Sequence, residues 1–221
     1  MAGGLKGSAA VSRLSAENKE LITTAVRNRG YESAVALIRR DGWRRFTMGK
    51  LAAEMGVAKG TVYNYFSSKD AVVGFIILCK TRQLAVDTRI MMEREPDTIV
   101  LLKQIIEKFL KHFQDLRFLH TAVFEVVQKN SENDDESMRR LAKLTEPLQE
   151  LFDVLRQIFR RGMDEGVLRR GDPALDVSVF HSMLNGIAMC RDFDRQLDVA
   201  DPAVCGMVCD AVLRGFIREE K

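Results

Sequence analysis

TMGKLAAEMGVAKGTVYNYF, residues 47 to 66, decides the fold. By propensity, Thr61, Val62, Tyr63, Tyr65 and Phe66 are strand formers, because branched and aromatic side chains suit a pleated surface. The preceding residues are helical, with Met48, Leu51, Ala52 and Met55 on one face. Gly56 is placed to take the left-handed conformation that ends a helix. Val57 then points inward, and Val62 with Phe66 starts a second apolar face. Two short helices joined at a glycine, with a small residue at Ala52 where they cross, make a helix-turn-helix. A short strand in a mixed domain is the competing reading of TVYNYF, and the helical context outweighs it. In a helix-turn-helix the second helix lies in the major groove, so its outward positions are chosen for what they touch in DNA. Packing by Val62 and Phe66 frees Lys59, Thr61, Tyr63, Asn64 and Tyr65 to present an ammonium, hydroxyls and an amide. The amide suits adenine, the hydroxyls and ammonium suit phosphates, and Gly60 lets backbone approach backbone. Ser67 with Asp70 is the expected capping box of the next helix, whose amino end and Lys69 clamp one more phosphate.

Charge distribution agrees with this reading. The 221 residues carry a net charge of +3, but residues 1–70 hold 12 Lys and Arg against 6 Asp and Glu, whereas residues 71–221 hold 22 against 25. A basic amino end on a near-neutral remainder suits a phosphate-binding module, and a solvated basic face is the plainer alternative. An apolar fraction of 46% supports a packed core. Four scattered cysteines without a CxxC pair argue for a reducing compartment rather than a disulfide framework. The amino terminus lacks a secretory h-region, and the apolar run AVVGFIILC at 71–79 is too short for a bilayer, so a cytoplasmic protein without a membrane partner is expected.

Helical periodicity continues through the rest of the chain. Ile99, Leu102, Ile106, Phe109, Leu110 and Phe113 share one face, and Leu119, Ala122, Val123, Val126 and Val127 repeat the pattern. The acidic stretch SENDDE at 131–136 reads as a loop. A further helix carries Leu148, Leu151, Phe152, Leu155 and Phe159, with Thr145 and Pro147 suiting its start or a kink. Asp172-Pro173 and Asp201-Pro202 each announce a helix, Asp as cap and Pro in the first turn. The last helix bears a wide apolar stripe, Val204, Cys205, Val208, Cys209, Val212, Leu213, Phe216 and Ile217, which needs a partner surface.

Residues 33–73, SAVALIRRDGWRRFTMGKLAAEMGVAKGTVYNYFSSKDAVV, resemble the head of TetR-family transcriptional regulators. The resemblance rests on the Gly42-aromatic-Thr47 lead-in, the GVAKGTVYNYF segment and the SKD start of the next helix. GMDEGVLRRGD at 162–172, LNGI at 184–187 and LRGFI at 213–217 are similar to landmarks of the divergent body. It implies an all-α chain: an N-terminal helix-turn-helix three-helix domain followed by a helical ligand-binding and dimerisation domain. Residues 1–17 are read as a flexible arm, 18–66 as the DNA-binding domain and 67–221 as the body. The stretch 1–30 is longer than the family's lead-in and is broken by Asn28, Arg29 and Gly30. By resemblance, Thr47 and Tyr65 contact phosphates, Lys59, Thr61 and Tyr63 approach the groove, and Lys69 holds backbone.

The implied function is a homodimeric regulator, repressing by default, that leaves a palindromic operator when a small-molecule effector binds. A ligand-independent architectural DNA binder or a ligand-dependent activator would share the same head. Phe109, His112, Phe113, Phe124, Met163, Phe180, His181 and Met183 are the candidate pocket residues, chosen by composition alone, and His120 is a further polar handle. Leu184, Gly186, Ile187, Val208, Val212, Leu213, Gly215 and Phe216 are the candidate dimer interface, where the glycines allow close approach and a twofold partner sets the spacing of two recognition helices. Cys205 and Cys209 lie one turn apart but belong to the apolar stripe, so neither a metal nor a cofactor is expected. The sequence carries no GxSxG, HExxH, P-loop or dinucleotide fingerprint, and no enzymatic activity is expected.

Overall fold

The computed structural model describes residues 4–119, 122, 135–190 and 198–218, with side chains from 23 to 119, at 122, from 148 to 190 and from 198 to 218. These residues form α1 (Gly4–Asp41), a 3-10 turn (Trp43–Arg45), α2 (Met48–Met55), α3 (Lys59–Tyr63), α4 (Lys69–Arg94), α5 (Thr98–Leu116), a second 3-10 turn (Arg117–Leu119), α6 (Asp135–Asp164), α7 (Pro173–Cys190) and α8 (Pro202–Arg214). The β pairing among them is a single antiparallel bridge between Leu168 and Ile217. The chain divides into two compact units, the first comprising residues 1–76 and 121–126 and the second residues 77–120 and 127–221, with the first boundary inside α4.

The first unit is a head built on α1, α2 and α3. Ala34, Leu37 and Ile38 of α1 meet Leu51, Ala52 and Met55 of α2, with Val62, Phe66, Val72 and Val73 closing the core. Gly56 ends α2 at φ 66°, ψ 33°, the left-handed conformation expected of it. Gly30 does not break α1, which runs through it. A Cβ there would lie 2.7 Å from Cε2 of Phe66, so this glycine is a notch that lets α1 lie against the Phe66 ring. Residues 4–17, read from sequence as an arm, lie within the backbone span of α1.

The second unit packs α5, α6, α7 and α8 around Leu101, Leu102, Ile105, Ile106, Leu155, Ile158 and Val177. Phe159, Phe180 and Phe216 form an edge-on triad with centroids 5.3 to 5.9 Å apart. Asp172 accepts from the amide of Ala174 and Asp201 from that of Ala203, so both Asp-Pro pairs cap helices as expected. α6 neither starts nor ends at Pro147; it spans Asp135–Asp164.

Candidate functional site

In the head, Thr47 caps α2 by accepting from the Lys50 amide at 3.2 Å. Its hydroxyl keeps a donor for a phosphate while the acceptor fixes the start of the helix. Val62 and Phe66 are buried, and Val62 takes two downstream amides, those of Tyr65 at 3.0 Å and Phe66 at 2.9 Å, on its carbonyl. With those two inside, Lys59, Gly60 and Asn64 are exposed and Thr61 and Tyr65 half-buried. Tyr63 is 45% exposed, large for an aromatic with no task in the fold. The Lys59 ammonium lies 5.9 Å from the Tyr63 ring centroid, so the two outward groups travel together. No atom lies within 4 Å of a Cβ built on Gly60, which leaves its backbone open to an incoming strand.

Lys69 is more constrained than its sequence assignment suggests. Its ammonium donates to the Trp43 carbonyl at 2.7 Å and sits 3.8 Å from the Trp43 ring centroid. It therefore fastens the start of α4 to the turn before α2. The cap of α4 is Ser68, whose hydroxyl accepts from the Ala71 amide at 3.0 Å. The expected Ser67–Asp70 box is one residue out of register, because α4 begins at Lys69. Arg40 bonds Asp41 and Glu54, and Lys50 bonds Asp41. Hydrogen bonds from Arg40 and then Lys50 hold the Asp41 carboxyl below the usual range. Those cations are committed to the surface of the head itself.

The second unit holds an apolar cavity lined by Leu84 and Thr88 of α4, Ile105 and Phe109 of α5, Leu151 and Leu155 of α6, and Phe180, His181 and Leu184 of α7. Its space is about 10 Å³, room for roughly one water. Of the residues expected in a pocket, Phe109, Phe180 and His181 line it. His181 stands edge-on between the rings of Phe109 and Phe152 and meets the Asn185 amide at 2.9 Å. Burial lowers its pKa. Phe113 stacks at a tilt on Phe109, and His112 meets Phe113 edge-on, outside the lining. Met163 packs on the core elsewhere, and Met183 is exposed. Phe124 and His120 lie outside the described residues. Sequence reasoning missed Leu84 and Thr88, whose one-turn spacing on α4 was the available signal. The Thr88 hydroxyl donates to the Leu84 carbonyl at 2.7 Å.

Five of the eight candidate dimer residues need correction. Leu184, Val208, Val212, Leu213 and Phe216 are buried within the chain's own core, so the wide stripe of α8 finds its partner surface without a second copy. Gly186 and Gly215 are exposed and Ile187 half-buried. On α7 and α8 the large apolar residues left exposed are Leu175, Val179, Met183, Met189 and Met207, beside Val86 and Ile90 of α4, Val100 of α5, and Val167 and Ile217.

A buried scaffold that turns a short second helix outward, polar side first, after a glycine-ended helix defines a helix-turn-helix DNA-binding protein. Residues 31–74 match the model of the family described as bacterial regulatory proteins, tetR family. That match covers the head, whose residues 31–74 form a DNA-binding domain of the TetR-family type. The chain is 27% identical over 155 residues to the fatty acid metabolism regulator protein of Bacillus subtilis (strain 168), an alignment covering 70% of this chain and 75% of that one. Among solved structures it is similar to the TetR-family regulator PfmR of Thermus thermophilus, with 26% identity, a TM-score of 0.59, and coverage of 86% of this chain and 100% of that one. The fold also matches FadR of Bacillus subtilis, solved in complex with stearoyl-CoA, at 21% identity and a TM-score of 0.65, covering 85% of this chain and 97% of that one.

Proposed function

We propose that this regulator is a dimeric repressor that grips a palindromic operator through two copies of the Lys59–Tyr65 surface and lets go when a long-chain fatty acyl thioester enters the body cavity. One observation carries the DNA half. Val62 and Phe66 are buried while Lys59, Gly60, Tyr63 and Asn64 of the same segment face solvent. Thr61, Tyr63 and Asn64 then read base edges, and Thr47, Lys59, Tyr65 and Lys69 hold phosphates. The effector half is supported by the apolar lining, in which Thr88 and His181 are the polar side chains, and by the fatty acid role and the stearoyl-CoA complex recorded for Bacillus subtilis FadR.

The size of the cavity supplies the mechanism. An acyl chain needs far more room than one water, so it binds only an expanded packing of α4, α5, α6 and α7. A ligand shifts an equilibrium by its differential affinity for two states, and here that difference is built into the closed core. The expanded packing is the one whose paired heads no longer match the operator.

Selection of bound duplexes from a random library tests the DNA half, followed by titration of the enriched duplex with acyl-CoAs of graded length. The expected result is a palindrome with half-sites about one helical turn apart or a multiple of it, released at least tenfold by long-chain acyl-CoA and not by CoA alone. Absence of any enriched sequence would sink the operator reading. Enrichment without release by any chain length would sink the effector reading and leave the DNA half intact.

A further inference from the structure

Three groups on α5 and α8 have no part in DNA binding or in the cavity. Cys205 and Cys209 are four residues apart, so their thiols leave α8 on one side. That side lies on α5, where Glu107 stands. A carboxylate oxygen of Glu107 and the two sulfurs all lie within 4.8 Å of one another. Cys209 is buried and Cys205 half-buried. Cys209 Sγ donates to the Lys103 carbonyl at 3.9 Å. The Lys103 ammonium pairs with Asp210 at 3.2 Å.

We propose that Glu107, Cys205 and Cys209 form a binding site for a thiophilic divalent cation of the zinc class, fastening α8 to α5. Tetrahedral zinc takes sulfur at about 2.3 Å and carboxylate oxygen at about 2.0–2.2 Å, which sets its ligand atoms roughly 3.5–3.8 Å apart. Reaching that spacing from within 4.8 Å takes about an ångström of side-chain motion, and Glu107 is exposed and able to make it. Water fills the fourth position. Two thiolates select zinc-like ions over magnesium or calcium, which prefer oxygen. In binding, the cation displaces one proton from each thiol, and two protons leave to solvent. The resulting site, with Glu107, carries one net negative charge beside the Lys103 ammonium.

The thiol environment separates this reading from a redox switch. Burial, then the neighbouring Cys205 and Glu107, push the Cys209 thiol up to about 12, and burial and Glu107 push Cys205 up as well. Oxidation-sensitive cysteines have lowered pKa values. A metal ligand instead gives up its proton to the metal, which makes affinity climb with pH.

The test is titration of the reduced, full-length protein with Co²⁺ as a spectroscopic probe and Zn²⁺ as competitor. One Co²⁺ per chain is expected, with a thiolate-to-cobalt charge-transfer band that Zn²⁺ abolishes. Affinity should rise up to about a hundredfold per pH unit near neutrality, since two protons are released. Cys205→Ser and Cys209→Ser should each remove the band, and Cys79→Ser with Cys190→Ser should leave it. Because Cys209 is buried, Glu107→Gln is the variant that tests the site without touching the core, and it should weaken binding about tenfold. A band that survives either α8 substitution, unchanged affinity in Glu107→Gln, a flat pH dependence, or no band at a hundredfold excess of Co²⁺ would each overturn the site.

Discussion

Lys69 holds Trp43 by a hydrogen bond and a cation-π contact at the same time. An ammonium carries three N–H donors, so this hold is compatible with meeting a phosphate. Lys69→Ala is expected to weaken binding to every sequence, to lower the slope of log affinity against log salt by about 0.9, and to cost the head about 1 kcal/mol. Binding to duplexes at several salt concentrations, beside a urea titration, measures both. A changed base preference with the slope intact would reverse the assignment, since the proposal gives preference to Thr61 and Tyr63. His112 tests the body. Burial first, then the Lys80 and Lys108 ammoniums against Asp115 and Asp87, lowers its pKa from 6.5 to about 4. The unfolded chain therefore binds the proton first, and the contribution of His112 to stability is complete above pH 6.5 and lost as pH falls toward 4. Between pH 7 and 5 the wild type should lose about 2 kcal/mol more than His112→Gln, read from urea midpoints.

At the scale of elements, the helix ends and apolar faces were legible because they depend on near neighbours. Gly56 closes α2 and Asp172 and Asp201 cap α7 and α8, as their residue types require. The serine cap slipped by one because Ser67 and Ser68 offer the same chemistry, and only the start of α4 chooses between them. Gly30 was misread for a deeper reason. A sequence shows the freedom of a glycine but not the ring of Phe66, distant in the chain, that fills the place of its missing side chain. Gly30→Ala makes the point measurable. Helix propensity favours alanine by about 1 kcal/mol, and forcing a methyl into a filled core costs about 1–3 kcal/mol. The Phe66 ring is buried and packs edge-on against Phe75 at 5.5 Å, so it has little room to yield. The expected net result is a head destabilised by about 1 kcal/mol and weaker operator binding, because Phe66 anchors the segment proposed to read DNA. A thermal midpoint at or above that of the wild type would show that the ring gives way. The cavity was half legible for a similar reason: composition found Phe109, Phe180 and His181, whereas the face a residue turns inward decided against Met183.

For the whole molecule, the question is which surface makes two copies from one. The α8 stripe led sequence reasoning to Val208, Val212 and Leu213, but an apolar stripe states only that something covers it, and here the same chain does. What the fold leaves outside is smaller and more regular. Leu175, Val179 and Met183 recur every four residues along α7, with Met189 beyond them and Met207 on α8. Gly186, with nothing within 4 Å of its absent side chain, opens the same helix to close approach. An exposed apolar row such as Leu175, Val179 and Met183 is a candidate interaction surface, and on the dimeric reading proposed above a twofold axis through it would give the paired heads that a palindrome needs. Two substitutions of the same chemistry separate the readings. Val179→Asp adds a charge where the side chain is already 43% exposed, so the monomer should keep its stability to within about 1 kcal/mol. Sedimentation should then show one chain instead of two, and operator affinity should fall at least a hundredfold as half the phosphate contacts are lost. Val212→Asp buries the charge in a fully enclosed position and should unfold the body outright. If Val179→Asp still sediments as a pair while binding DNA normally, the outer face of α7 is not the interface, and the two heads must be brought together by some other surface.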